Sequence, residues 1–246
     1  MTNREELLRF LNDFAGYLTG YTSQDPAIHH NYFDANRRYN GGDWPQTGLT
    51  MIGMQRMQNI QTLLLDVIDN NVAGDFIETG VWRGGACIFA ATILKMLEIT
   101  DRRVWVCDSF AGLPKPDPKY SQDAGDIHHT IPELAISLES VQANFEKFDL
   151  LSDQVRFVPG WFCDTLPNLK NETFSILRLD GDMYSSTTDA LDNLYPQLSP
   201  GGYVIIDDWG LPPCRQAVND YRDQHNITDT IVLIEEVGSS CYWQKT

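Results

Sequence analysis

The stretch Leu177-Arg178-Leu179-Asp180-Gly181-Asp182 decides the fold, together with Val204-Ile205-Ile206-Asp207-Asp208. Each stretch is a short apolar run that ends in carboxylates, which is typical of a buried strand in a parallel sheet. In open α/β sheets the carboxyl ends of such strands border the ligand crevice. We therefore expect the acidic residues of both stretches to face one place.

We predict that Asp180, Asp207 and Asp208 hold a divalent cation there. Neighbouring carboxylates repel one another unless a cation or protons compensate their charge. Oxygen ligands without a nearby Cys or a pair of His favour Mg²⁺, Mn²⁺ or Ca²⁺ over zinc. The alternative is that the aspartates cap the helices that follow, since Asp is a favoured N-cap residue.

Composition limits the classes of partner. The 246 residues carry a formal net charge of −16, whereas a phosphate backbone is usually bound by basic patches. We expect neither nucleic acid nor a membrane surface as a partner. The charged start of the chain, the lack of a membrane-length apolar stretch and five scattered cysteines predict a cytoplasmic protein with reduced thiols.

Alternation of strand and helix patterns predicts one α/β domain, residues 1–246, with a doubly wound sheet and two closing strands. After a first strand at about 75–79, strands are predicted at 104–107, 155–159, 174–179, 203–206, 230–234 and 241–243. Helices are predicted at 50–71, capped by Thr50, and at 86–97, 134–148, 182–195 and 213–225.

Residues 1–49 are predicted to extend this domain at its N-terminus. A helix capped by Thr2 or Asn3 is followed by a long ordered loop, residues 28–48, that is rich in aromatic side chains. Such loops often serve as lids or binding segments. We expect acceptor and oligomer contacts here, with the acceptor contacts assigned to Arg37, Tyr39, Asn40 and Trp44.

The first strand runs into a glycine-rich turn, residues 80–85. Glycines allow positive φ and a close approach of the backbone to a ligand. The turn lacks the G-x-G-x-x-G pattern, and Glu78 would repel a pyrophosphate but attract an ammonium group. Asp108, at the end of the next strand, is placed to accept hydrogen bonds from ribose hydroxyls. A nucleoside that carries an amino acid fits both, which predicts S-adenosylmethionine (SAM).

Two further segments offer candidate residues. The loop at 113–132 contains His128 and His129, either of which becomes a candidate base only if the metal site is close. After the third strand, Asp164 could accept from an adenine or simply cap the next helix.

On these residues the chain resembles the macrocin O-methyltransferase family, metal-dependent enzymes that methylate sugar hydroxyls on macrolides and other natural products. The matching motifs run from about Asn40 to the end: Thr50-Met51-Ile52-Gly53, Glu78-Thr79-Gly80-Val81-Trp82-Arg83-Gly84-Gly85, Val104-Trp105-Val106 with Asp108-Ser109-Phe110, Pro159-Gly160-Trp161-Phe162, Leu179-Asp180-Gly181-Asp182 and Ile206-Asp207-Asp208.

The resemblance implies a seven-stranded class I SAM-dependent methyltransferase fold, SAM as methyl donor, Mg²⁺ and a homo-oligomer. It makes Asp180, Asp207 and Asp208 the metal ligands, with Asp180 also counted as catalytic, and leaves Asp182 as a supporting or capping residue. His128 takes the position of the base, before Leu134-Ala135-Ile136-Ser137, with His129 as the alternative. The implied SAM-binding residues are Met51, Glu78, Thr79, Gly80, Gly84, Gly85, Asp108, Ser109 and Asp164.

The expected reaction is methyl transfer to a sugar hydroxyl, and three alternatives remain open. A catechol-type enzyme would use a similar cation site and a phenolic acceptor, with less need of a base. A metal-dependent phosphatase could use the hydrophobic-D-x-D pattern around Asp180, although that motif should end the first strand. A SAM-binding protein without turnover is the third.

Overall fold

The computed structural model describes residues 4–236 and 238–246. Seven strands form its sheet: β1 Asp75–Thr79, β2 Val104–Asp108, β3 Val155–Pro159, β4 Phe174–Leu179, β5 Leu198–Ile206, β6 Val232–Leu233 and β7 Cys241–Gln244. They lie in the order β3-β2-β1-β4-β5-β7-β6. The first five strands are parallel, and β7 runs antiparallel to both β5 and β6. The predicted doubly wound sheet with a closing hairpin is confirmed.

The helices are α1 Arg4–Leu18, α2 Ala35–Tyr39, α3 Gly53–Asp69, α4 Gly85–Met96, α5 Leu138–Glu146, α6 Phe162–Thr165, α7 Tyr184–Leu194 and α8 Pro212–Gln224. Short 3₁₀ turns lie at Ser121–Asp123, His128–Thr130, Pro132–Leu134, Leu166–Leu169 and Tyr195–Gln197. None of the helices in the described ranges combines the length and the hydropathy of a membrane span.

Both faces of the sheet are buried. Alternate strand residues enter two separate hydrophobic clusters: Phe76 packs with α1, α3, α4 and α5, whereas its neighbour Ile77 packs with α7 and α8. Val106 and Cys107 divide in the same way on β2. Burial on both sides is why these strands are continuous apolar runs in the sequence.

Several predicted boundaries are wrong. Thr50 does not cap α3, which begins at Gly53 with φ of +79°, while the Thr50 hydroxyl accepts from the Ile52 amide at 3.4 Å. The helix predicted from residue 134 begins at Leu138, because Ser137 caps it by accepting from the Ser140 amide. Strand β5 begins five residues earlier than predicted, and the run at 230–234 forms only the short β6.

The predicted loop at 28–48 contains a short helix, α2, whose first turn is capped by the Asp34 carboxylate accepting from the Arg37 amide. The cap assigned to Thr2 or Asn3 lies outside the described residues. The oligomer contacts of residues 1–49, the extent of the domain and the cytoplasmic location stay predictions.

Arg38 organises this N-terminal extension. Its side chain is fully buried and donates to the Asp43 carboxylate at 2.6 Å, to the Thr19 carbonyl at 3.0 Å and to the Asp25 carbonyl at 2.8 Å. The Asp25 carboxylate in turn accepts from the amide of Gly48 at 2.8 Å. One guanidinium group thus holds together the chain segments that lead to α3.

Replacing Arg38 with Ala is expected to lower the free energy of unfolding by about 3–5 kcal/mol, because the buried Asp43 carboxylate would lose its partner. Urea denaturation followed by circular dichroism measures this. Arg4→Ala is the matched control, since it breaks an exposed pair with Asp69 at 2.8 Å and should cost less than about 1 kcal/mol. Equal losses in the two variants would contradict the assigned role of Arg38.

Candidate active site

A cavity of about 840 Å³ opens at the carboxyl ends of the parallel strands. Residues that end or follow all five of these strands reach its wall: Glu78 from β1, Asp108 from β2, Gly160 after β3, Asp180 after β4 and Asp207 after β5. The order of the strands reverses at β1 and β4, and such a switch point is where open α/β sheets bind ligands.

The sheet register brings the predicted metal ligands together. Leu179 of β4 pairs with Ile206 of β5, so the residues that follow them are neighbours. One carboxylate oxygen from each of Asp180, Asp207 and Asp208 lies within 4.8 Å of the other two. The capping alternative does not account for this spacing, because α7 and α8 begin later, at Tyr184 and Pro212.

Two arginines that the sequence analysis missed bind the same cluster. Arg178 is fully buried on β4; its guanidinium contacts Glu78 and Asp207, and it lies 2.8 Å from Asp180. Arg56 of α3 donates to Asp207 at 2.5 Å and also contacts Glu235. A charged residue inside an apolar strand is almost always paired when it is buried. Arg178 therefore carried a readable signal, whereas Arg56 did not.

Negative charge exceeds positive charge in this cluster. Among the described residues, the two guanidinium groups contact four carboxylates, Glu78, Asp180, Asp207 and Glu235. Asp182 and Asp208 add two more carboxylates beside them. Burial raises the pKa of Asp180 and of Asp208 well above the usual range, and raises the pKa of Asp182 to about 6. Neighbouring carboxylates add to each shift.

The donor set fits a hard divalent cation. The cluster supplies oxygen atoms only, which suits Mg²⁺. An added positive charge would relieve the repulsion that adds to the effect of burial on these pKa values. Both oxygens of Asp207 already accept from arginines. A carboxylate oxygen has two lone pairs, so Asp207 keeps capacity for a metal ion.

Two predicted SAM-binding carboxylates are already engaged. Glu78 is 2% exposed and accepts from Arg178 and from the Cys87 thiol at 2.8 Å. Asp108 accepts from the amides of Val81 and Phe110, both at 2.8 Å. Asp108 therefore holds the glycine-rich turn in place as well as facing the cavity.

The glycines of the turn serve different neighbours. At Gly80, with φ of +88°, a Cβ atom would lie 1.7 Å from the Asp180 carbonyl oxygen, so only glycine fits beside β4. A Cβ at Gly84 would meet Val141 of α5 at 2.8 Å, and one at Gly85 would meet the Leu49 carbonyl at 2.5 Å. Gly84 and Gly85 thus allow α5 and the segment at Leu49 to pack against the turn.

His128 lies on the cavity wall, with its side chain one-third exposed. Its Nδ1 is 2.6 Å from a carboxylate oxygen of Asp126, and the other oxygen of Asp126 accepts from the His128 amide at 2.9 Å. Because an ionised carboxylate only accepts, this contact places a proton on Nδ1, and in the neutral form of the ring the lone pair is then on Nε2. The sequence analysis missed Asp126, although a D-x-H pattern is visible.

The cavity contains most, but not all, of the predicted site residues. Among the described residues, the predicted ones that line the cavity are Trp44, Met51, Glu78, Gly80, Asp108, Ser109, His128, Asp180, Asp207 and Asp208. The predicted residues that do not line it are Tyr39, Asn40, Thr79, Gly84, Gly85, His129 and Asp164.

Local structure explains the residues that lie elsewhere. Tyr39 donates to Gln58 of α3 at 3.4 Å, Asn40 donates back to the Asn36 carbonyl at 2.8 Å, and the exposed Arg37 contacts His30 at 2.8 Å. Asp164 is exposed inside α6, so it neither faces the cavity nor stands at the helix cap. Its neighbours Trp161, Phe162 and Cys163 line the wall instead.

Other wall residues had no role in the sequence analysis. Lys115, Lys119 and Tyr120 come from the loop before His128, and Asp189 comes from α7. Burial raises the pKa of Asp189 to about 6. Nothing in their spacing along the chain identifies these residues, because only the path of the loop and the placement of α7 bring them to the cavity.

Comparison with known proteins gives consistent matches over the whole chain. The family described as Macrocin-O-methyltransferase (TylF) matches residues 12–245. Demethyldecarbamoylnovobiocin O-methyltransferase of Streptomyces niveus is 46% identical, covering 100% of this chain and 96% of that protein. 8-Demethyl-8-(2,3-dimethoxy-alpha-L-rhamnosyl)-tetracenomycin-C 4'-O-methyltransferase of Streptomyces olivaceus is 48% identical, covering 87% and 82%.

The solved structure of the O-methyltransferase NovP superposes with a TM-score of 0.92 at 46% identity, covering 96% of this chain and 98% of that one. The predicted class I SAM-dependent methyltransferase fold is confirmed.

Proposed function

The chain belongs to the macrocin O-methyltransferase (TylF) family, and on that premise we propose that it transfers a methyl group from SAM to a sugar hydroxyl of a glycosylated natural product, with Mg²⁺ bound. The observation that carries the proposal is the three-carboxylate cluster on the wall of the cavity that also holds the glycine-rich turn. The relative that acts on a rhamnosyl compound supports a sugar acceptor. Family membership argues against the phosphatase alternative.

SAM, when bound, supplies a methyl group activated by its sulfonium. The chain would hold it at the ends of β1 and β2, where Gly80 and Asp108 line the cavity. Asp108 already accepts from the amides of Val81 and Phe110, with the Ser109 hydroxyl 3.4 Å away, and a ribose hydroxyl would take a remaining lone-pair site of this carboxylate. Glu78 would meet the ammonium group while remaining paired with Arg178, so it acts as part of a buried ion pair and not as a free carboxylate.

The metal would be held by Asp180, Asp207 and Asp208. A bound divalent cation lowers the pKa of a hydroxyl that it contacts, which matters because a sugar hydroxyl holds its proton tightly at neutral pH. Arg178 and Arg56 fix the orientation of the Asp207 carboxylate by contacting one oxygen each. They also limit the negative charge that the site accumulates.

His128 is the proposed base. Asp126 keeps the proton on Nδ1 and fixes the ring, so that Nε2 can accept the proton of the acceptor hydroxyl. Asp182 is the second candidate, because it lies on the same wall and its carboxylate is close enough to interact with His128. Replacing each residue in turn distinguishes the two candidates, because only loss of the base should lower kcat strongly.

Removal of the cation should abolish turnover. Methyl transfer from SAM to the rhamnosyl tetracenomycin acceptor named for the relative, and to a panel of similar glycosides, would be measured with Mg²⁺ and after chelation. Asp208→Asn should weaken Mg²⁺ binding in calorimetry by at least about 10- to 100-fold, the loss that follows removal of a hydrogen-bond partner of a ligand. Asp117 lines the same cavity but lies outside the cluster, so Asp117→Asn should not weaken binding. Turnover that is indifferent to chelators would remove the metal from the mechanism.

His128→Ala should lower kcat by about 10²- to 10⁴-fold, with the affinity for S-adenosylhomocysteine unchanged. Steady-state kinetics and calorimetry measure the two quantities on the same preparation. Asp182→Asn is the comparison variant. If His128→Ala turned over like the unaltered protein while Asp182→Asn were inactive, Asp182 would be the base and His128 would not.

A further inference from the structure

The loop that carries His128 is attached to the protein by one buried acidic residue. Residues 113–134 contribute Lys115, Tyr120 and His128 to the cavity wall. Asp123, inside this loop, is only 1% exposed although its neighbours Gln122 and Ala124 are exposed. One of its carboxylate oxygens accepts from the Tyr184 amide at 2.7 Å, and the other accepts from the Ser185 amide at 3.0 Å.

These two amides are the first of helix α7. The first N–H groups of a helix have no partner inside the helix and are usually capped by the side chain just before it. Here that residue is Met183, which makes no side-chain capping bond. Asp123 supplies the cap from a position 61 residues earlier in the sequence. Its negative charge also suits the positive end of the helix dipole.

A continuous chain of hydrogen bonds then leads from α7 to His128. The Asp123 carbonyl accepts from the Asp126 amide at 3.0 Å. The Asp126 carboxylate accepts from both the amide and the ring of His128. The rings of Tyr120 and Tyr184 add a contact at 5.6 Å between centroids.

The other end of this chain is the acidic cluster. Helix α7 begins four residues after Asp180, and the Asp182 amide between them donates to Asp208 at 2.9 Å. The start of α7 is therefore fixed to the carboxylates of the cavity on one side and to the His128 loop on the other.

We propose that Asp123 is a positioning residue: by capping α7 it docks the loop and sets the place of His128 relative to the carboxylate cluster. Helix capping and loop docking are then one event, because the same carboxylate does both. The catalytic meaning of this docking rests on the proposed function, in which His128 is the base. The docking itself does not depend on it.

The test compares full-length Asp123→Ala with Asp75→Ala as a matched control. Asp75 also accepts two N–H groups, from the Arg103 amide and the Trp105 indole, both at 2.8 Å, but at the opposite end of the sheet. Hydrogen exchange followed by mass spectrometry reports the amides of residues 121–131 and 184–187. Diethyl pyrocarbonate, which modifies accessible neutral imidazoles, reports His128, with the exposed His30 as internal reference.

In Asp123→Ala, both segments should exchange faster by on the order of tenfold, which matches the loss of a helix cap. The modification of His128 should accelerate as well, and S-adenosylhomocysteine affinity should stay unchanged. Asp123→Asn should recover part of the protection, because its carbonyl can accept one of the two bonds. Asp75→Ala should change neither the exchange rates of the two segments nor the rate of His128 modification.

Faster exchange confined to residues 184–187, with His128 reactivity unaltered, would overturn the proposal and leave Asp123 as a helix cap alone. Equal effects in Asp75→Ala would also overturn it, since the cause would then be a general loss of stability. Failure of the base assignment is a separate result. Normal turnover in His128→Ala would reject the catalytic role of His128. Faster exchange of the loop in Asp123→Ala would still support the proposal that Asp123 docks the loop.

Discussion

The structure depends on how it accommodates carboxylates at the ends of two neighbouring buried strands. Asp180 follows β4, and Asp207 and Asp208 follow β5. Because Leu179 of β4 pairs with Ile206 of β5, the three carboxylates are held close together. Arg178 and Arg56 compensate part of this charge from inside the fold. Burial raises the pKa values of Asp180 and Asp208, and the charge that remains adds to the shift. A bound cation is the simplest means of balancing that charge.

The surrounding elements can be understood as supports for this cluster. Gly80 lets β1 pass against the Asp180 carbonyl, and Asp108 ties the glycine-rich turn to β2. Arg56 joins α3 and the segment before β7 to the same carboxylates. The Asp123 carboxylate attaches the His128 loop to the start of α7. Elements from most of the chain thus meet at one edge of the sheet, which is what a two-substrate reaction requires.

Local patterns in the sequence predicted the strands, the fold class and the convergence of the three aspartates, because a buried parallel strand shows itself as a continuous apolar run. What could not be predicted depends on how the folded chain packs, both between distant segments and at the starts of helices. Asp123 caps a helix 61 residues away, and the start of α3 depends on Gly53 instead of the better cap residue Thr50. Asp164 follows the matching motif Pro159-Gly160-Trp161-Phe162 and was predicted to bind SAM. The turn into α6 places Trp161, Phe162 and Cys163 on the cavity wall instead.

The most direct test of this account is anomalous diffraction from crystals of the protein grown with Mn²⁺ and S-adenosylhomocysteine. The account predicts one strong manganese peak within bonding distance of Asp180, Asp207 and Asp208, with the nucleoside ligand at the ends of β1 and β2. It also predicts that the peak is weaker in Asp208→Asn crystals grown at the same manganese concentration. A cluster that remains without manganese at saturating concentration, with its carboxylates compensated by the arginines and protons alone, would contradict the central claim.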